Sequence, residues 1–250
     1  MRRFAILTAV LTVAAIQAFG QAKQLKVKSK KEGEAVNALI SAQDPDARIK
    51  AADELITKFS DTDFKAYALY LEADAFAQKN DNEKTIVYGE QALESDPKNY
   101  QASVLLARTY ATTTKNTDLD KAEKISKITK YANDSLELLK TAAKPNAQLT
   151  DQQWTDTKND FAGQCYFALG VAAAYSNKMD DVTANFQKVA EMDADPTDLI
   201  RAGRVLLELK KWEAAIVWFD KAAGAANANQ QIKDIAAKDK ARAQAMLPKK

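Results

Sequence analysis

The hydrophobic positions of this chain recur at steps of three and four residues over long stretches. In residues 198–209 they are Leu199, Ala202, Gly203, Leu206 and Leu209, and in residues 212–223 they are Trp212, Ala215, Ile216, Phe219 and Ala222. This spacing places them on one face of an α-helix of about twelve residues. No long segment alternates hydrophobic and polar residues with a period of two. The pattern predicts an all-α protein whose short helices are stable only when packed against neighbours.

Three of the five prolines follow an aspartate, in Asp44-Pro45, Asp96-Pro97 and Asp195-Pro196. Proline has no backbone N–H and is best accepted in the first turn of a helix. Aspartate caps a helix by accepting a hydrogen bond from a free backbone N–H of that turn. These pairs therefore predict helix starts.

The helix pairs recur with similar spacing of small and large residues. The first copy has Ala73, Phe76, Thr85, Ala92 and Pro97; the second has Ala107, Tyr110 and Ala122; the third has Ala172, Tyr175, Ala184 and Pro196; the fourth has Gly203, Leu206, Ala215, Phe219 and Ala222. Ala107 stands 34 residues after Ala73, and the interval between the two small residues is twelve in three copies. In the second copy it is fifteen, with residues 115–117 inserted.

This pattern resembles that of the tetratricopeptide repeat (TPR) family. The resemblance implies a right-handed superhelix of antiparallel helix pairs, that is, an all-α, TPR-like solenoid. Residues 118–143 and 150–175 predict two longer helices joined at Lys144-Pro145-Asn146, and hence one elongated helical hairpin that projects from the solenoid. We expect a first helix pair in residues 32–60, repeats in residues 61–227, and a capping helix with a tail in residues 228–250.

Residues 1–20 have the layout of a secretory signal peptide, with two arginines, an apolar stretch and small residues around a cleavage site. We expect an exported protein, periplasmic or secreted, without an integral membrane segment after cleavage; an uncleaved anchor is the alternative. Residues 21–31 are rich in lysine and predict a flexible basic segment, or else one that contacts an anionic envelope surface. Residues 1–20 hold two of the 36 Lys and Arg residues and none of the 34 Asp and Glu residues, so the remainder has balanced charge and no nucleic-acid-binding signature.

The side chains of most catalytic sites are missing from this sequence. It has no histidine, and its one cysteine, Cys165, lies in an apolar stretch that predicts a buried, unreactive thiol. The seven glycines form no phosphate-binding cluster. The acidic residues Glu191, Asp193, Asp195 and Asp198 are interpreted as helix-capping, with metal binding or acid catalysis as the alternative. We expect no cofactor, no metal and no enzymatic activity.

In the TPR family, the first helix of each pair lines a groove that holds peptides or partner proteins. By this resemblance the groove residues are Tyr67, Tyr70, Asp74, Gln101, Val104, Arg108, Tyr166, Leu169, Ile200, Arg201 and Arg204. The family's lysine–asparagine clamp for C-terminal carboxylates is not reproduced. The expected function is an exported, non-enzymatic scaffold for protein–protein interaction in cell-envelope assembly or maintenance. The alternatives are a self-associating, homo-oligomeric envelope protein and a carboxylate-based hydrolase.

Overall fold

The computed structural model describes residues 25–145, 148–192 and 195–248, which form eleven α-helices and no strand. The helices are α1 (Lys30–Ser41), α2 (Pro45–Lys58), α3 (Lys65–Gln78), α4 (Asn82–Ser95), α5 (Tyr100–Thr113), α6 (Lys121–Thr141), α7 (Asp151–Tyr175), α8 (Met179–Glu191), α9 (Pro196–Glu208), α10 (Trp212–Gly224) and α11 (Gln230–Ala245). The predicted signal peptide, residues 1–20, lies outside the described residues.

Consecutive helices pack in five pairs, from α1/α2 to α9/α10, and α11 covers both helices of the last pair. The first helices also contact one another in succession, because α3 packs on α5, α5 on α7, α7 on α9 and α9 on α11. We call the continuous row formed by α3, α5, α7, α9 and α11 the first-helix layer. The prediction of an all-α solenoid built from helix pairs is confirmed.

Two of the three Asp-Pro pairs begin helices as predicted. Asp44 caps α2 and Asp195 caps α9, each with proline in the first turn. The prediction for Asp96-Pro97 is wrong, because Asp96 ends α4. The cap of α5 is instead Asn99, whose Oδ1 accepts a hydrogen bond from the Ala102 N–H at 3.0 Å.

Glycines on first helices make room for phenylalanine rings of second helices. A Cβ atom added to Gly203 would lie 2.4 Å from Cε1 of Phe219, and one added to Gly170 would lie 2.2 Å from Cε1 of Phe186. In the fourth copy, Gly203 is therefore the small residue at which the two helices of the pair come closest, as predicted. In the third copy the equivalent small residue is Gly170, because its partner ring stands sixteen residues later in both copies.

The turns inside the pairs show the same register. A residue with positive φ stands seven positions after the small residue in three pairs, at Asn80, Asn177 and Lys210. The register predicted on Ala172, Tyr175 and Ala184 is thus wrong by two residues, and Ala184 is exposed. Residues 171–174 are all small or apolar, so periodicity alone did not separate the two alignments.

The second copy departs from the others in its loop and in its second helix. Residues 114–120 join α5 to α6, whereas three residues form the turn in the neighbouring pairs. Ala122, predicted to face inward, is exposed. The buried face of α6 consists of Ile128, Ala132, Ser135 and Leu139. The longer loop therefore shifts the inward-facing positions along α6.

The predicted elongated hairpin corresponds to α6 and α7, which have 21 and 25 residues where the other helices have 12 to 16. Asn146, in the predicted connection, lies outside the described residues. The added length packs on the start of α5, because Leu139 and Trp154 enclose Tyr100. Phe161 meets the Tyr100 ring edge-on, with centroids 5.6 Å apart. The hairpin is thus anchored on the start of α5 through residues of both of its helices.

The end of the predicted basic segment is packed on the first helix pair. Leu25 and Val27 contact the core between α1 and α2, and Lys28 forms an ion pair with Asp61 at 3.0 Å. Residues 25–31 therefore differ from the flexible tail predicted for residues 21–31; residues 21–24 lie outside the described part. Across the described ranges, no helix combines the length and apolar character needed to cross a membrane.

Candidate functional site

The eleven residues predicted to line a groove lie on α3, α5, α7 and α9, all helices of the first-helix layer. Two of them are core residues instead: Val104 is 2% exposed and Ile200 is 1% exposed. Their side chains pack in the hydrophobic cluster shared by α5 to α11. This corrects the prediction for these two positions, because apolar side chains at the contact between successive first helices are enclosed by the next helix.

The corrected register also moves the two positions predicted on α7. The α7 residue equivalent to Ile200 is Phe167, not Leu169, and it too is buried. Leu169 is half-buried against the core. Tyr166 contacts the following helix, since Lys188 Nζ of α8 lies 4.5 Å from the centroid of its ring. Tyr166 therefore contacts the second helix of its own pair, and Leu169 contributes to the core.

The α3 end of the layer brings together Tyr67, Tyr70 and Asp74, and we call these three residues the tyrosine patch. The two rings are 6.4 Å apart and tilted by 36°. Asp74 Oδ2 accepts hydrogen bonds from Arg48 Nη1 of α2 at 3.2 Å and from Gln78 at 2.8 Å. Burial raises the pKa of Tyr70, with the Asp74 charge adding to this effect, so its phenol stays neutral at physiological pH. The patch is partly accessible and combines apolar rings with one carboxylate.

Gln101 follows on α5, in the next helix of the layer. Its Oε1 atom is buried and accepts no hydrogen bond from any residue that the structure describes. Buried amide oxygens are nearly always hydrogen-bonded in proteins. Gln101 therefore lies on a first helix, but its side-chain carbonyl oxygen is inaccessible to solvent.

Farther along the layer, an ion pair connects α5 directly to α9. Arg108 donates two parallel hydrogen bonds to Asp198, at 2.9 and 2.8 Å, and Arg201 donates a third at 2.6 Å. Arg108 also lies over the ring of Phe167 on the intervening α7, 5.8 Å from its centroid. The Asp198 side chain is only 3% exposed. Two of the predicted groove residues, Arg108 and Arg201, are thus engaged within the chain.

A second carboxylate lies beside this ion pair. Burial raises the pKa of Asp160, and the charges of Asp198 and Asp195 act in the same direction, while Arg108 opposes them. At the end of the layer, Arg204 donates a hydrogen bond to Asp239 of α11 at 2.6 Å. All three predicted arginines therefore contact carboxylates of this chain.

The acidic cluster near the start of α9 is divided between capping and this ion pair. Asp195 accepts a hydrogen bond from the Thr197 N–H at 2.8 Å, which confirms its predicted role as a cap. Asp193 lies outside the described residues. Among the residues that the structure describes, no three His, Cys, Asp or Glu side chains are grouped to hold a metal. Cys165 is buried as predicted, and burial raises the pKa of its thiol to about 12.

Glu72 of α3 is a fully buried carboxyl that the sequence pattern did not predict. Within residues 25–145, 148–192 and 195–248, neither of its oxygens has a hydrogen bond of normal geometry, although Tyr88 of α4 lies close enough to interact with the carboxyl. Burial raises the pKa of Glu72 to about 7, the charge of Asp53 on α2 adds to this, and Lys84 opposes it. The only sequence signal was a glutamate on the apolar face of α3.

We expect Glu72→Gln to stabilise the protein at pH 8 by on the order of 2 kcal/mol and to change it little at pH 5. The folded-state pKa lies above the ordinary value of 4.5. Neutral Glu72 therefore stabilises the fold fully below about pH 4.5, and this contribution is lost as the pH rises to about 7. Urea unfolding at pH 5 and pH 8 measures the difference. An equal effect of the substitution at both pH values would contradict a raised pKa.

No family model matches this sequence, and no curated protein matches it significantly. Among solved structures, the chain is similar to the crystal structure of a thermophilic TPR protein from Thermus thermophilus. The two proteins share 12% sequence identity and align with a TM-score of 0.53 over 83% of this chain and 98% of the other. At this identity the likeness is one of fold. The chain therefore has the TPR-like fold that the repeat pattern predicted.

Proposed function

We propose that this protein is a non-enzymatic TPR scaffold that binds an extended segment of a partner protein on its first-helix layer, at the tyrosine patch. One observation carries the proposal: Tyr67, Tyr70 and Asp74 form a partly accessible group at the α3 end of a continuous layer of helices. Tyrosine offers a rigid apolar ring with a polar end, and it is enriched where proteins contact one another.

The ion pairs of the layer favour the α3 end as the binding region. The ion pair between Arg108 and Asp198 joins α5 to α9 and passes over α7, the first helix that lies between them. A bound segment there would have to displace a bidentate ion pair with a buried carboxylate, which is costly. Within the described part of the chain, the ion pair of the tyrosine patch runs from Asp74 to Arg48 of α2, a second helix, and does not span two first helices.

The proposed binding is tested with the double variant Tyr67→Leu/Tyr70→Leu, which keeps apolar volume but removes both aromatic rings. In crosslinking with envelope extract of the source organism, we expect the wild-type protein to yield a defined partner and the variant to recover it at least about tenfold less. Val87→Ser is the matched control, because Val87 is exposed on α4. Circular dichroism melting shows whether both variants stay folded. Equal recovery by all three folded proteins would refute the proposed site.

We further propose that the protein acts outside the cytoplasm, in assembly or maintenance of the cell envelope. The layout of residues 1–20 supports export. Mass spectrometry of the protein isolated from fractionated cells tests this, and we expect a mature chain that begins near residue 21. A full-length chain in the cytoplasmic fraction would contradict export.

A further inference from the structure

A second site lies between α4 and α6, the second helices of two successive pairs, with α5 beneath them. It is a cavity of about 290 Å³ lined by Glu90, Leu93, Glu94, Pro97, Ser103, Lys130, Tyr131 and Asp134. None of these residues belongs to the tyrosine patch. The size is at the lower end of ligand pockets, about 300–1,000 Å³, and is suited to one side chain or a small molecule.

Negative charge predominates in this cavity. It is lined by three carboxylates and one lysine, and Lys130 Nζ is paired with Asp134 at 2.6 Å. Glu94 is exposed and has no ion pair among the described residues. Burial disfavours the charge of Glu90, but hydrogen bonds from Lys127, Tyr110 and Tyr131 outweigh it and hold the pKa of Glu90 below its usual value. Lys127 Nζ lies 3.0 Å from Glu90 Oε1 and compensates its charge, so the carboxylate that the cavity offers to a ligand is that of Glu94.

An aromatic ring forms one wall and is held in place by its neighbours. The Tyr131 hydroxyl donates a hydrogen bond to Glu90 Oε1 at 3.2 Å, and its ring stacks on Tyr110 with centroids 6.2 Å apart. Lys130 Nζ lies 5.4 Å from the centroid of the Tyr131 ring, within range of a cation–π interaction. Lys130 therefore already contacts Asp134 and the Tyr131 ring, which are groups that an external cation would also contact.

Ser103 on α5 adds a hydroxyl group to the lining of the cavity. The residue is 2% exposed and lines the cavity, and its hydroxyl has no hydrogen-bonding partner within the described part of the chain. Buried hydroxyls usually have a partner. Here the available space above the hydroxyl is the cavity itself, so a ligand or a water molecule is its natural partner. This observation is independent of the charges.

We propose that this cavity binds an organic cation through an ammonium or guanidinium group, such as the one that ends a lysine or arginine side chain. The methylene groups pack on Leu93 and Pro97, and the charged head lies among Glu94, the Tyr131 ring and the Ser103 hydroxyl. Inside the cavity these groups replace the water around the charged head: the carboxylate pairs with it, the ring offers a cation–π contact and the hydroxyl accepts a hydrogen bond. The proposal concerns a different face from the tyrosine patch, so either site can fail without the other.

The test is an NMR titration of the whole protein with N-acetyl-arginine amide and N-acetyl-lysine amide, with N-acetyl-citrulline amide as the neutral analogue. We expect saturable shifts of the Leu93, Ser103 and Tyr131 amides with the cationic probes only. A tripeptide, N-acetyl-Gly-Arg-Gly amide, and spermidine distinguish the sources of the cation. Tighter binding of the tripeptide indicates a protein segment, whereas tighter binding of spermidine indicates a free amine; either result supports a cation site.

Four variants make the test specific. Glu94→Gln is expected to weaken binding about threefold to fivefold, because it removes one exposed carboxylate. Ser103→Ala is expected to weaken binding without loss of stability, since no hydrogen bond of the folded protein is removed. Lys130→Gln is expected to strengthen binding about threefold, because it removes the internal competitor. Glu83→Gln is the control, since it removes an acid from α4 outside the cavity.

A merely structural cavity would not produce this pattern. Absence of saturable shifts with either basic probe would overturn the proposal. Equal binding of the citrulline analogue would also overturn it, because charge would then play no part. An equal loss in Glu83→Gln and Glu94→Gln would show non-specific attraction to the surface and would likewise refute the site.

Discussion

Replacing Gly203 by leucine is expected to lower the free energy of unfolding by about 3 kcal/mol, through overpacking between α9 and α10. A Cβ atom at this position would lie 2.4 Å from Cε1 and 2.7 Å from Cδ1 of Phe219. The Phe219 side chain is fully buried, so any shift of its ring also displaces the side chains that enclose it. Urea-induced unfolding followed by circular dichroism measures the loss.

Gly224→Ala is the matched control for this substitution. Gly224 is also a helical glycine of the last pair, but a Cβ atom there would meet nothing within 4 Å. We expect this variant to be as stable as the wild type or slightly more stable, because alanine has the higher helix propensity. If Gly203→Leu were no less stable than Gly224→Ala, the close approach of α9 and α10 would be wrong.

Replacing Arg108 by methionine is expected to lower the free energy of unfolding by about 3 kcal/mol, near the lower end of the cost of breaking a buried ion pair. The substitution removes two hydrogen bonds to Asp198, whose side chain is almost inaccessible. Arg201 still contacts Asp198, which limits the loss. Asp160, close to the same charges, also loses its favourable interaction with Arg108. Urea unfolding at neutral pH measures the effect.

Two further variants separate this ion pair from surface electrostatics. Arg204→Met breaks an ion pair whose arginine side chain is 56% exposed, and we expect a loss of less than about 1 kcal/mol. The double variant Arg108→Met/Asp198→Leu is expected to recover part of the stability, because it leaves no unpaired carboxylate at that position. A loss in Arg108→Met no larger than that in Arg204→Met would mean that Asp198 is not effectively buried.

Most of the fold could be predicted from local patterns. The three- and four-residue spacing identified the helix pairs, and the aspartate caps at Asp44 and Asp195 identified two helix starts. These signals act within one helix or one turn, so they can be read without knowledge of the neighbours. The Asp96-Pro97 prediction failed because a proline two residues past a helix end has the same local appearance as one at a helix start.

The candidate site could be predicted only as a set of helices. The repeat pattern placed its residues on the first helices, but it did not show that Val104 is enclosed by the next pair. Nor did it show that Arg108 reaches Asp198, which is 90 residues away in the chain. The cavity around Ser103 combines three helices whose residues share no motif. Such features depend on how successive pairs stack.

The sequence by itself determined the all-α class, the five helix pairs and the cap, because hydrophobic period and helix capping are set by residues a few positions apart. The tertiary structure decided the alignment of the third pair on Gly170, where the position of the Phe186 ring separates two alignments that the period allows. It also decided which polar side chains stay accessible, since burial and ion pairing depend on the helices brought alongside.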